Sequence, residues 1–195
     1  MNLAIIGTGY VGLTTGTCFA EVGHNVVCVD NNQAKVDALL QGKVPIYEPD
    51  LEDLILSNVS AGRLHFTTNL AEAVASSEII FIAVPTPPQE DGSVDLSYIE
   101  SVSHEIADAL TPEMGYRVVV DKSTVPVSTG SKVYQVIARY AKGNVDVDVV
   151  SNPEFLREGS AVSDLMNPDR VVIGADSQRA IVDTQNSIEE AMKAV

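Results

Sequence analysis

The sequence predicts an α/β protein: a doubly wound, mostly parallel sheet with helices on both faces. Three observations predict it. Short apolar runs alternate with segments of helical periodicity along the chain, the pattern of repeated strand–helix–strand units. The most apolar run, Glu78-Ile79-Ile80-Phe81-Ile82-Ala83-Val84, lacks polar alternation, as a central strand buried on both faces requires. The first apolar run, Leu3-Ala4-Ile5-Ile6, breaks into Gly7-Thr8-Gly9-Tyr10-Val11-Gly12, a glycine-rich turn from strand to helix.

In order, strands are expected near 2–6 and 25–29, with a helix over 10–22 between them and another over 32–41. A proline-bracketed loop, Pro45-Ile46-Tyr47-Glu48-Pro49, precedes a helix over 50–60, with Pro49 suited to its first turn. A strand at 64–67, a short helix at 69–76 and the central strand follow. Asp91-Gly92 marks a turn. Leu96, Ile99, Val102, Ile106 and Leu110 then recur at helical spacing, predicting a helix over 95–110. Arg117–Val120 and Val145–Val150 read as strands around a helix over 128–141, Val171–Ile173 as a last short strand, and 177–195 as a helix of mixed charge. One domain over 1–176 is expected, with 177–195 starting a helix that connects to a further part.

The 195 residues are 45% hydrophobic, enough for one well-buried core, and carry a net charge of −15. Such a surface repels nucleic acid and anionic membranes, so neither is an expected partner. No apolar run reaches the length of a membrane span, and no basic segment precedes the first strand. A cytoplasmic location is the expectation. Cys18 and Cys28 have no adjacent His or CxxC partner, so they read as small buried apolar residues, and no metal site is expected.

Strand, glycine turn, helix, second strand and then Asp30 form the dinucleotide-binding fingerprint of a Rossmann-type sheet. Gly7 permits the tight turn, Gly9 leaves the backbone open to a pyrophosphate, and Gly12 permits close packing of the helix. The free amides and positive dipole end of that helix suit phosphate, so the amides of Tyr10 and Val11 join the candidate site. Asp30 can accept from both ribose hydroxyls and would repel a 2′-phosphate, which favours NAD over NADP. Lys35 is either a cation beside the adenosine or a solvated helix charge.

Ligands of such sheets bind beyond the carboxyl ends of the strands. Four post-strand segments should therefore open onto one crevice: Gly7–Gly12, Val84–Pro87, Lys122–Pro126 and Asn152–Gly159. Thr86 offers a hydroxyl on a proline-stiffened exit. Thr124 could orient a water or cap a helix. Glu154 and Glu158 share a face if their turn is helical, and Glu154 could act as a general base; a salt bridge to Arg157 or Arg170 is the structural alternative.

The strings Pro45-Ile46-Tyr47-Glu48-Pro49, Lys122-Ser123-Thr124-Val125-Pro126-Val127, Asn152-Pro153-Glu154-Phe155-Leu156-Arg157-Glu158-Gly159 and Asn167-Pro168-Asp169-Arg170, in this order after the glycine turn, span nearly the whole chain. With them the chain resembles the NAD-binding N-terminal domain of the UDP-glucose/GDP-mannose dehydrogenase family. The resemblance implies oxidation of C6 of a nucleotide sugar from alcohol to carboxylate by two NAD molecules in succession. It implies Glu154 as the base that activates the hydrolytic water, Thr124 as its positioner, and Glu158 close to nicotinamide and sugar. It places the backbone of Phe155, Leu156 and Arg157 along the sugar nucleotide, and Asp30, Lys35 and Thr86 on the cofactor. The glycine-turn and Pro45–Pro49 strings favour UDP-glucose over GDP-mannose or UDP-N-acetylmannosamine.

Pro85 departs from the glycine common in the family at that loop. The family's nucleophilic cysteine, in a Gly-Gly-Ser-Cys-Phe-Pro-Lys-Asp context, has no counterpart in this sequence. The expectation is a chain that binds NAD but does not oxidise UDP-glucose alone. The family dimerises through a region with no counterpart here, so a homodimeric parent and a monomeric chain are expected. A non-catalytic NAD-binding module is the alternative from another functional class.

Overall fold

The computed structural model describes residues 1–126 and 128–193. Val127 and the last two residues of the helix expected over 177–195 lie outside them. Six strands, β1 (Asn2–Ile6), β2 (Asn25–Val29), β3 (Leu64–Thr67), β4 (Ile79–Ile82), β5 (Arg117–Asp121) and β6 (Val147–Ser151), form one sheet in the order β3-β2-β1-β4-β5-β6. Every strand pair is parallel. This is the doubly wound order in which the chain reverses direction of growth between β1 and β4.

The helices are α1 (Tyr10–Glu21), α2 (Gln33–Leu40), α3 (Leu51–Ser60), α4 (Leu70–Ser76), α5 (Ser97–Ala109), α6 (Thr129–Tyr140), α7 (Ala161–Met166) and α8 (Gln178–Lys193). They leave two apolar layers, one on each sheet face. Leu3, Ile5, Phe19, Phe81 and Ile188 belong to one layer, and Ala4, Ile6, Ile80, Ile106 and Ile137 to the other. All four residues of β4 are buried, as expected for the central run. The close approach of α1 to β2 depends on Gly16, where a Cβ would lie 2.5 Å from the Cys28 sulfur. Both cysteines are buried, as their isolation from His and CxxC partners suggested.

Three local expectations change. The run Val171–Ile173 forms no strand; only Gly174 bridges Ser151, antiparallel. The Val172 carbonyl accepts from the Asn152 side-chain amide at 2.8 Å, so a side chain takes the place of a ladder partner. Pro49 lies outside α3, because Asp50 occupies the cap position at φ 64°. The 3₁₀ turn Pro112–Met114 and the six-residue α7 carried no strong apolar period and were not anticipated.

Candidate functional site

The carboxyl ends of β1, β2, β4, β5 and β6 converge on one rim, and the segments leaving them carry the candidate groups. At the β1–α1 turn, Gly7 has φ +104°, and a Cβ there would meet the Ala83 carbonyl oxygen at 2.4 Å. A Cβ on Gly12 would stand 1.9 Å from the Gly7 oxygen. Gly9 faces open space and is exposed, and no side chain caps α1. The helix therefore presents bare amides behind a glycine floor, with no acidic residue in its first turn. These features fit a dinucleotide diphosphate. Val11 is partly buried and packs its side chain against the core.

Asp30 follows β2 and lies beside this turn. Its Oδ2 accepts from the Thr8 hydroxyl at 2.6 Å, the Thr8 amide at 3.1 Å and the Lys35 ammonium at 2.8 Å, while Oδ1 accepts from the Asn32 amide at 3.0 Å. Burial pushes this carboxyl upward, but the bonds from Lys35, Thr8 and Asn32 together outweigh it and hold the group below its ordinary range. Lys35 is thus paired with Asp30 rather than solvated freely.

The β4 and β5 exits are tied to each other. Ser123 donates through its hydroxyl to the Val84 carbonyl at 2.9 Å, and Thr86 donates to the Thr124 carbonyl at 3.4 Å. Thr124 is exposed, and α6 starts only at Thr129, so Thr124 caps no helix. Beneath it lie two buried ionisable groups. Asp121 is 1% exposed; burial raises its carboxyl to about 7, and its Oδ2 has no partner among the described residues. Lys122 is 6% exposed, and burial pulls its ammonium down to about 8 despite the opposing field of Glu154. Its Nζ donates to Asn152 Oδ1 at 3.1 Å.

The segment after β6 is an open loop rather than a helical turn. Pro153 disfavours helical backbone at Asn152, and Glu154 accepts from the Leu156 amide at 2.6 Å, closing a tight turn of its own. Glu154 and Glu158 therefore share no helix face, a correction to the expected spacing. The salt bridges considered for them also fail to form. Arg157 pairs with Asp164 at 2.6 Å, and Arg170 lies over the Phe155 ring at 5.1 Å. A cavity of about 60 Å³ opens here, with Lys122, Asn152, Glu154, Phe155 and Arg170 among its walls.

The glycine turn, the acid after β2 and the Asn152–Gly159 loop thus occur on one sheet edge in the arrangement of a dinucleotide-dependent enzyme. The family model for the UDP-glucose/GDP-mannose dehydrogenase NAD-binding domain matches residues 1–193. The chain belongs to the UDP-glucose/GDP-mannose dehydrogenase family. Its match is to that family's NAD-binding domain. The UDP-glucose 6-dehydrogenase of Rhizobium meliloti is 54% identical over 177 residues, which is 90% of this chain and 40% of that protein. The ternary-complex structure of GDP-mannose dehydrogenase from Pseudomonas aeruginosa aligns with TM-score 0.93 at 38% identity, covering 97% of this chain and 44% of that one. A UDP-glucose dehydrogenase of Pyrobaculum islandicum aligns with TM-score 0.91 at 44% identity, covering 99% and 44%. The chain spans about 40% of the length of the UDP-glucose 6-dehydrogenases it matches.

Among the residues singled out from sequence, the structure brings Gly7, Gly9, Tyr10, Gly12, Asp30 and Lys35 together, and joins Thr86 to Thr124. Glu154, Phe155 and Leu156 line one cavity, while Arg157 and Glu158 are exposed on the same loop. Two features of this family member were missed. Glu48 belongs in sequence to the proline-bracketed loop, yet it is 6% exposed and accepts from the Tyr10 hydroxyl and, at 2.8 Å, from the Gly159 amide. The bracketing prolines were the available signal, since stiff loops often present one fixed side chain. Asp121 ends β5, and nothing in its local sequence distinguishes it from a solvated strand end. Among the described residues no helix is long and apolar enough to cross a membrane.

Proposed function

We propose that this chain holds NAD at the β1–α1 turn and a UDP-glucose sugar along residues 154–158, as the cofactor-binding part of an enzyme that oxidises C6 of UDP-glucose to UDP-glucuronate. The observation that carries the reading is the uncapped glycine floor of α1 beside Asp30, with the Asn152–Gly159 loop on the same rim. Gly7, Gly9 and Gly12 and the amides of Tyr10 and Val11 would hold the diphosphate. Asp30, steadied by Lys35, would grip the adenosine ribose. Thr86, Thr124 and Glu158 would border the nicotinamide, and the backbone of Phe155, Leu156 and Arg157 would line the sugar nucleotide.

When bound, NAD supplies the hydride acceptor, and alcohol to carboxylate needs two of them and one water. Glu154 would receive the proton of that water, a role supported by its carboxylate bordering the cavity and accepting from the Leu156 amide. Exposed Thr124 would orient the water from the β5 exit. Lys122 borders the same cavity and holds Asn152, two residues before Glu154, through its ammonium. The thiol that the family's reaction requires would come from outside this sequence, since Cys18 and Cys28 are buried and burial raises both thiols to about 12. A homodimeric parent enzyme acting in the cytoplasm completes the reading.

Calorimetric titration tests it: NAD and UDP-glucose bind, NADP binds at least about tenfold more weakly, and the chain alone yields no sustained rise at 340 nm with both ligands. No heat with NAD, or equal affinity for NADP, overturns it. The likeness to GDP-mannose dehydrogenase favours GDP-mannose as the second reading, and a GDP-mannose arm of the same titration separates the two.

A further inference from the structure

Tyr10 belongs to both sides of the crevice. It is the first residue of α1, so its amide lies in the cofactor turn. Its phenol lies on the opposite loop, where it accepts from the Gly159 amide at 3.0 Å and approaches the Arg157 carbonyl at 3.4 Å. Glu48 completes the junction from a third segment. Its Oε2 accepts from the Tyr10 hydroxyl and the Gly159 amide, and its Oε1 from the Val162 amide at 3.3 Å. The carboxylate sits in a stiff position, between Pro45 and Pro49 and just before Asp50 at φ 64°. On the far side, Arg157 closes the loop on itself through its amide and guanidinium to Asp164.

Resting on the cofactor reading above, we infer that Glu48 and Tyr10 are positioning residues: they lock the 157–162 segment to the amide turn of α1, so that a diphosphate seated on that turn also steadies the sugar-nucleotide loop. The physical reason is the cost of the alternatives. A nearly buried carboxylate must keep its donors, because losing one leaves a desolvated charge unpaired. The loop therefore cannot swing away while Glu48 stays in place, and Glu48 is held by the phenol whose backbone the diphosphate would fix. Two sites linked through one shared rigid element are coupled reciprocally.

Amide hydrogen exchange at Gly159, Ala161 and Val162 tests this on the 195-residue chain at saturating ligand, so that affinity differences drop out. NAD is expected to slow exchange there by about fivefold or more in the wild type. ADP-ribose, which carries the diphosphate without the nicotinamide, is expected to do the same, which separates coupling from direct nicotinamide contact. In Tyr10→Phe and in Glu48→Gln, with circular dichroism confirming the fold, the ligand-dependent slowing is expected to vanish. NAD binding to wild type without slowing at these amides overturns the inference alone. So does slowing that survives both substitutions, or that NAD gives and ADP-ribose does not. Absence of any NAD binding overturns the cofactor reading and this coupling together.

Discussion

Replacing Asp121 by Asn tests the electrostatic account of the β5 end most directly. The carboxyl is buried, its Oδ2 lacks a partner among the described residues, and burial lifts it from 3.8 to about 7. The folded state therefore binds a proton between about pH 4 and 7 that the unfolded chain has released. Stability associated with that proton is complete below about pH 4 and is lost as pH rises through about 7. At about 1.4 kcal/mol per pH unit, the gap corresponds to about 4 kcal/mol at pH 8. The Asn side chain keeps the acceptor for the Ser123 amide, now at 3.2 Å from Oδ1, and carries no charge. Its amide nitrogen inherits the unpartnered position, which costs about 1–3 kcal/mol. The net expectation at pH 8 is a gain of about 1–3 kcal/mol, or a melting temperature higher by about 2–10 °C for a chain of this size. At pH 4.5 the wild-type cost falls to about 1 kcal/mol while the cost of the unpartnered Asn amide remains, so Asp121→Asn should melt at the same temperature as the wild type or lower by up to about 8 °C. Differential scanning calorimetry at both values decides it. An equal shift at pH 4.5 and 8, or a lower melting temperature for Asp121→Asn at pH 8, refutes a buried and mostly unpaired carboxylate.

Three further outcomes are expected. Gly12→Ala places a Cβ against the Gly7 oxygen, so the denaturant midpoint should fall by an amount equivalent to about 3 kcal/mol and NAD binding should disappear; an unchanged midpoint contradicts the close approach. Asp30→Ala removes a charged acceptor from the ribose site and frees Lys35, so NAD affinity measured calorimetrically should drop about 10- to 100-fold while discrimination against NADP narrows. Cys18 and Cys28, with thiols raised to about 12, should give no fast reaction with an aromatic disulfide reagent in the native protein and two equivalents after denaturation in guanidinium; one fast native equivalent would show an open path to the α1–β2 layer.

Most elements were legible because their signals are local. The strand at 25–29 and the strand at 64–67 appear at the expected residues, since a short apolar run between polar turns fits few other conformations. The expected helix over 95–110 corresponds to α5: Ile99 and Ile106 lie on its buried face, partly buried Val102 packs against the same layer, and Leu96 and Leu110 flank the helix at its two caps. The failures have a common cause. Val171–Ile173 has strand composition, but its carbonyl partner is the Asn152 side chain, donated from another segment. Glu154 and Glu158 have helical spacing, but the proline before Glu154 and the turn closed by its carboxylate give an open loop.

The sequence by itself determined the order of elements, the parallel sheet, the glycine turn and the acid after β2, because each depends on residues within one strand–helix–strand unit. Only the tertiary structure decided the partners of the charged groups. Tyr10 meets Gly159 across 149 positions, Glu48 meets Val162 across 114, and Arg157 chooses Asp164 over both flanking glutamates. A charge finds its lowest free energy in whichever donors folding delivers to it out of water. Which donors those are depends on how distant segments are laid together, and no local period records that.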